Sequence, residues 1–365
     1  MGVLRFLLAI SVVLDHSSSI FGTDLVGGRI AVQSFYIISG FYMTLVLNEK
    51  YINKNKSYRL FITNRLLRLF PIYWLVLILT VAYALTVVIY TNGSSLSKFD
   101  IYVNNLDNMG IGSLVFLIFT NTFLFFQDLV MFLGLDSNTG YLFFTSDYQN
   151  TTPHLHTFLM LPQAWTIGVE LMFYLIAPFI LRKNIKFILS LLFSSILLRY
   201  ALYSNGFDFD PWTYRFFPTE LAFFLLGYLS YHIYRKIKNI DYGPYWLKIM
   251  LGFILSFIIF YNFISIPLKI YIYYTCFFCL LPFIFHKTKK WKKDIYIGEL
   301  SYPIYISHLF ILLILEALNI KPIGSLGLTL TVITVLFSII LNEFVAKKIE
   351  VYRQKRVTLN LKSND

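Results

Sequence analysis

Charge is what this 365-residue chain has least of: Asp, Glu, Lys and Arg make up only 14% of it, against 57% hydrophobic and 19% aromatic residues. A soluble domain carries about 25% charged and about 45–50% apolar residues. The shortage therefore excludes an ordinary globular protein and a disordered one. No hydrophilic block long enough to fold alone separates the apolar segments, so one membrane domain is expected. Cysteine is almost absent, with only Cys276 and Cys279, in "YIYYTCFFCLLPFIF". A CxxC pair outside a redox or metal context reads as two small buried apolar residues, and no disulfide framework is implied. Acids are scarce as well, 19 against 31 bases, for a net charge of +12. Such an excess can mark a nucleic-acid binder. Here the bases fall in short clusters between apolar runs, as in the cytoplasmic loops of membrane proteins, so no nucleic-acid partner is expected.

What the chain has in plenty is apolar runs near the 17–25 residues a membrane helix needs. Candidate spans are 3–22, 29–47, 71–91, 167–181, 187–203, 217–234, 247–265, 268–286, 297–317 and 326–346. Backbone left unpaired in lipid is costly, so these are read as helices. With both termini in the cytoplasm, inner segments hold 25 of the Lys and Arg residues and outer loops 5, with Arg199 inside a span. This bias sets the orientation. The expected fold is thus all-α: a polytopic bundle of about ten transmembrane helices in the plasma (inner) membrane. Residues 1–348 form the membrane domain and 349–365 a cytoplasmic tail. "GSLVFLIFTNTFLFFQDLVMFLGL" (112–135) is apolar enough to cross, but one more crossing would invert every later loop. It is expected to enter and leave on one side, with Asn121, Gln127 and Asp128 facing protein or water. The first 22 residues also have the layout of a secretory signal. Cleavage would discard an Asp-His pair, so the segment is expected to stay.

That pair lies in "RFLLAISVVLDHS" (5–17). Arg5 and His16 are about 16 Å apart along a helix and share roughly one face. A cation at the cytoplasmic mouth and a titratable imidazole far inside suit a substrate with an anionic head and a reactive tip. Coenzyme A thioesters have that form. Intramembrane ionisable groups point to function by default, although a snorkelling Arg and a hydrogen-bonded His would look the same. Four further segments carry polar groups. Ser39-Gly40 places a small pair in a bulky helix, which suits a site or close helix packing. Arg65 and Arg68 share a helical face and make either a phosphate clamp or a positive-inside anchor. Glu170 opens a span, where a carboxylate must pair or be protonated. It either serves a site or is a favoured acid near a helix N-terminus. "GELSYPIYISHLFILL" brings Ser301, Tyr302, Tyr305 and His308 to helical spacing, the tyrosines also fitting an interfacial belt. "PHLH" (153–156) lacks a third ligand, so loop residues lining an acceptor groove are expected there, and no metal.

Together these segments closely resemble the membrane-bound acyltransferase family 3, whose members move acyl groups, commonly acetyl, to glycans and some small molecules. The family's Arg-x10-His matches Arg5 and His16. Its Val-x-x-Phe-Phe-x-x-Ser-Gly-Phe matches Val32, Phe35, Tyr36, Ser39, Gly40 and Phe41, with Tyr36 a conservative departure. Its Arg-x-x-Arg-Leu-x-Pro-x-Tyr matches Arg65, Arg68, Leu69, Pro71 and Tyr73. Trp165, Thr166, Glu170, Phe173 and Tyr174 match a fourth element, Ile167 standing for Leu. Ser301, Tyr302, Tyr305 and His308 complete the set. Asp15 departs from the apolar or aromatic residue expected before the His.

The resemblance implies an integral membrane O-acyltransferase that uses acyl-CoA, with acetyl the expected group, and a hydroxyl acceptor such as an envelope glycan. His16 is expected as general base, assisted by Glu170, with Arg5, Arg65 and Arg68 on the phosphates. Ser39, Gly40, Tyr73, Trp165, Tyr302 and His308 are expected to line the site, among membrane lipid and without metal. An acyl-enzyme on His16 or Ser39 is an open variant of the mechanism. The reading from another class is a transporter of an anionic solute or lipid-linked glycan, using the same charges as a pathway.

Overall fold

A computed structural model describes residues 1–49, 58–240 and 242–362. Lys50, Lys54 and Lys56, counted above in a cytoplasmic loop, lie outside the described residues. The helices are α1 (Gly2–Asp15), α2 (Gly28–Glu49), α3 (Tyr58–Tyr90), α4 (Asp100–Asn105), α5 (Ile111–Phe123), α6 (Trp165–Ile180) and α7 (Ile185–Ser204). They continue with α8 (Phe217–Ile237), α9 (Gly243–Ile259), α10 (Lys269–Thr288), α11 (Lys292–Glu299), α12 (Ser301–Ala317), α13 (Leu326–Leu341) and α14 (Lys347–Lys362). Each of the ten expected spans overlaps a helix, although those expected at 3–22 and 247–265 run past the ends of α1 and α9. Among the described residues, seven helical stretches are long and apolar enough to cross a membrane. α1, with 14 residues, is too short by itself, and α9 belongs to the shorter apolar helices. The protein is therefore an all-α multi-pass membrane protein.

The chain divides into two compact units. The first comprises residues 1–68, 176–194 and 221–365. Its centre is α1, which packs on α2, α11, α12 and α13. Leu4, Leu8, Ala9 and Val13 are almost fully buried, so this helix is held by neighbours on several sides. Both ends are tied. The Asp294 carboxylate accepts the backbone N–H groups of Gly2 (2.7 Å) and Val3 (2.9 Å), satisfying donors that a helix start leaves orphaned. Beyond the other end, Ser18 Oγ accepts the Gly327 N–H at 2.9 Å. Two glycines let helices meet backbone to backbone. A Cβ on Gly40 would stand 1.9 Å from the Phe224 carbonyl oxygen, and one on Gly227 would stand 2.1 Å from that of Ile37. Gly40 is thus a packing residue of the α2–α8 contact.

The C-terminal segment is helical. After α13 a π-helical turn, Asn342–Ala346, leads into α14. There Arg353 Nε donates to the Asn64 carbonyl (2.8 Å), and Arg356 donates to the Asn64 and Thr63 side chains.

The second unit comprises residues 69–175 and 195–220. Residues 112–135 do not cross as one helix. α5 has 13 residues and stops at Leu124, whose left-handed backbone (φ 63°) turns the chain. A 3-10 turn (Asp128–Phe132) follows, then a two-stranded antiparallel hairpin of β1 (Leu133–Leu135) and β2 (Leu142–Phe144). Asn121, Gln127 and Asp128 are buried in protein, as expected for polar groups that must avoid lipid. The cysteines correct the sequence reading. Both are free, Cys279 is exposed and Cys276 half-exposed. They lie on an apolar helix whose outer face is itself apolar, so small apolar residues do not have to point inward there.

Candidate active site

In the first unit two groupings lie at opposite ends of α1. At its start, the half-buried Arg5 and Arg68 both act electrostatically on Tyr42 and Glu299. α3 runs unbroken through Pro71 and begins well before the expected span, so it is helical at Arg65 and Arg68. The two arginines differ in setting: Arg65 is 5% exposed and holds its guanidinium 5.9 Å from the Phe61 ring centroid. The cluster is mixed, because Glu299 and Lys347 share it.

At the other end His16 is the C-cap of α1 (φ −98°, ψ 8°) with an exposed side chain. It is therefore not sunk within a long helix, as the sequence suggested. Its ring stands 5.2 Å from that of His308, centroid to centroid. His308 is wholly buried on α12, and its Nδ1 lies 2.7 Å from the Tyr305 carbonyl oxygen. The Tyr305 ring is 6.0 Å away. Tyr302 is half-buried on the same helix, and Ser39 is buried on α2. Asp15 belongs to the scaffold. Its carboxylate accepts the Gly28 N–H at 3.0 Å and so caps the first turn of α2.

Three expected residues lie in the second unit. The Tyr73 hydroxyl donates to the Asn121 carbonyl, and Trp74 Nε1 to that of Thr122 (2.8 Å). These bonds satisfy the end of α5, whose last carbonyls have no partners within the helix. Glu170 is half-buried and accepts the Tyr174 hydroxyl at 2.5 Å, an i,i+4 bond on one helix face. Trp165 forms a platform for a residue that sequence reasoning passed over. The Arg215 guanidinium lies 4.3 Å over the Trp165 ring and is bonded to Asp210 through Nε and Nη2 (2.7–3.0 Å). Burial alone would lower the Arg215 pKa, but Asp210 outweighs it and the pKa is raised. Tyr148 donates to the same carboxylate at 3.1 Å. The His156 ring meets Tyr148 edge-on at 5.3 Å. Burial, and then His154 beside it, lower the His156 pKa, keeping the ring neutral at pH 7. Only spacing in the sequence, Asp210 and Arg215 five apart in an aromatic loop, hinted at this cluster.

The same unit holds a cavity of about 660 Å³ beside the hairpin, lined by Asp136, Asn138, Phe143, Asp147, Asn150 and Thr145 among others. Its lining contains no basic residue. Among the described residues no group of three or more His, Cys, Asp or Glu could hold a metal ion.

One end of α1 thus carries an imidazole pair and the other a cluster with two arginines, within a membrane bundle. Residues 1–343 match the acyltransferase domain of family 3, and the chain belongs to that family. It is a membrane acyltransferase. No curated protein and no solved structure matches it significantly.

Proposed function

We propose that this protein takes an acyl group, acetyl in the simplest case, from cytoplasmic acyl-CoA and esterifies a hydroxyl of a cell-envelope glycan, with His16 as general base. The observation that carries the reading is the single rod α1, tied at both ends to neighbouring elements. It sets Arg5 about 16 Å from His16, a separation suited to the long pantetheine arm. Arg5 and Arg68 hold the donor phosphates; guanidiniums bind such groups bidentately. The thioester carbonyl is presented beside the imidazole. His16 takes the proton of the acceptor hydroxyl as its oxygen attacks the carbonyl carbon. The C–S bond breaks, and the thiolate recovers that proton from the imidazolium.

The test is transfer by the purified protein in proteoliposomes given isotopically labelled acetyl-CoA, alongside mass spectrometry of envelope glycans with and without the gene. One added acetyl unit per acceptor, with release of free coenzyme A, is the expected result. Solute flux across the vesicle membrane without covalent change refutes it and favours transport.

A further inference from the structure

The partner of His308 Nε2 is missing. A backbone carbonyl only accepts hydrogen bonds, so the 2.7 Å contact with Tyr305 fixes the ring proton on Nδ1. On a neutral ring, Nε2 then keeps its lone pair and can only accept. That atom is buried and has no hydrogen-bond partner. Buried acceptors in proteins are nearly always satisfied, and exceptions cluster where chemistry occurs. The His16 ring is 5.2 Å away between centroids. The nitrogens are not bonded as the rings stand, but at that spacing a rotation of the exposed His16 ring closes the gap to hydrogen-bond length, about 3 Å. The two rings come from α1 and α12, which pack together, and the His308 ring is held by its own helix three residues back.

We infer that His308 is a positioning residue: its Nε2 accepts the N–H of His16 during turnover. This rests on His16 being the base. The bond selects one His16 tautomer and leaves the other nitrogen bare toward the acceptor hydroxyl. When that nitrogen takes the hydroxyl proton, the N–H shared with His308 steadies the resulting imidazolium, and the proton then leaves with the departing thiolate. An imidazole thus does what a carboxylate does in a Ser-His-Asp triad, without placing a second charge in the membrane.

The experiment uses the full chain in detergent or proteoliposomes. His308→Leu removes the acceptor; His308→Gln supplies a carbonyl oxygen in its place. His308→Leu is expected to lower kcat 10–100-fold or so, with the KM for acetyl-CoA unchanged, and His308→Gln to recover most of the loss. In ¹⁵N-histidine spectra His16 holds one tautomer in the parent and in His308→Gln, and becomes a tautomer mixture in His308→Leu. Should His308→Leu not fold, the spectra of the other two proteins decide. Parent-like kcat in His308→Leu overturns the inference, as does a folded His308→Gln no better than His308→Leu, or a His16 tautomer mixture in the parent. If His16→Ala itself retains parent activity, the base assignment falls first and this inference with it.

Discussion

Replacing Asp128 by Asn should stabilise the protein at alkaline pH and leave it unchanged at acid pH. Asp128 lies on a 3-10 turn outside the candidate spans, is 3% exposed, and has one carboxylate oxygen, Oδ1, with no hydrogen-bond partner. Its neighbour Gln127 is fully buried with both amide atoms unpartnered. Gly168 leaves room for the carboxyl, since a Cβ there would lie 3.2 Å from Oδ1. Burial pushes the pKa from 3.8 up to about 7. The folded protein therefore keeps this proton to a higher pH than the unfolded chain. Below about pH 4 both states hold it and nothing is lost; between about 4 and 7 stability falls as pH rises, and above 7 the whole cost is present. At about 1.4 kcal/mol per pH unit the gap is worth on the order of 4 kcal/mol. Asn has the same shape and never charges. Thermal unfolding in detergent at pH 8.5 should show Asp128→Asn higher in Tm by roughly 5–10 °C, with the two proteins equal near about pH 3, below both pKa values. An identical shift at both pH values, or none at pH 8.5, would mean that the buried carboxyl does not carry this cost.

Gly40→Val should prevent native packing, because its Cβ falls on the Phe224 carbonyl. A loss of more than about 3 kcal/mol is expected, read as loss of the monodisperse peak in size exclusion. Glu220 is wholly buried and paired with Arg199 at 2.7 Å. Arg199→Met should cost about 3–5 kcal/mol by stranding that carboxylate, and adding Glu220→Gln should recover most of it, measured as Tm. Arg5→Ala combined with Arg68→Ala should raise the KM for acetyl-CoA about 10–100-fold with a smaller change in kcat, as removal of ground-state binding does. Steady-state kinetics over donor concentration checks this.

The helices were legible because lipid demands long apolar runs, and every expected span overlaps one. What the runs hid were the ends. α1 looked like a 20-residue span, yet it stops at Asp15, because that side chain leaves its own helix to cap α2. Apolar character continues across such a boundary, and only the partner reveals it. α3 looked as if it began at Pro71, but proline is tolerated inside it and the helix starts at Tyr58. At the site, the sequence grouped Arg5 with Arg68 through the family resemblance, whereas His16 and His308 were separate candidates that the fold pairs. Their meeting depends on α1 packing against other helices, which no local pattern encodes. Gly40 read equally well as site or packing residue, and the backbone contact with Phe224 decided for packing. Arg215 was counted only as a loop charge, since the indole beneath it comes from 50 positions earlier in the chain.

The role of His16 as general base is decided by single-turnover transfer from labelled acetyl-CoA, comparing the parent protein with His16→Ala at matched amounts of folded protein in proteoliposomes. The variant is expected to bind the donor with near-parent affinity while its transfer rate falls by about 10²–10⁴-fold. Transfer by the variant at the parent rate would contradict it.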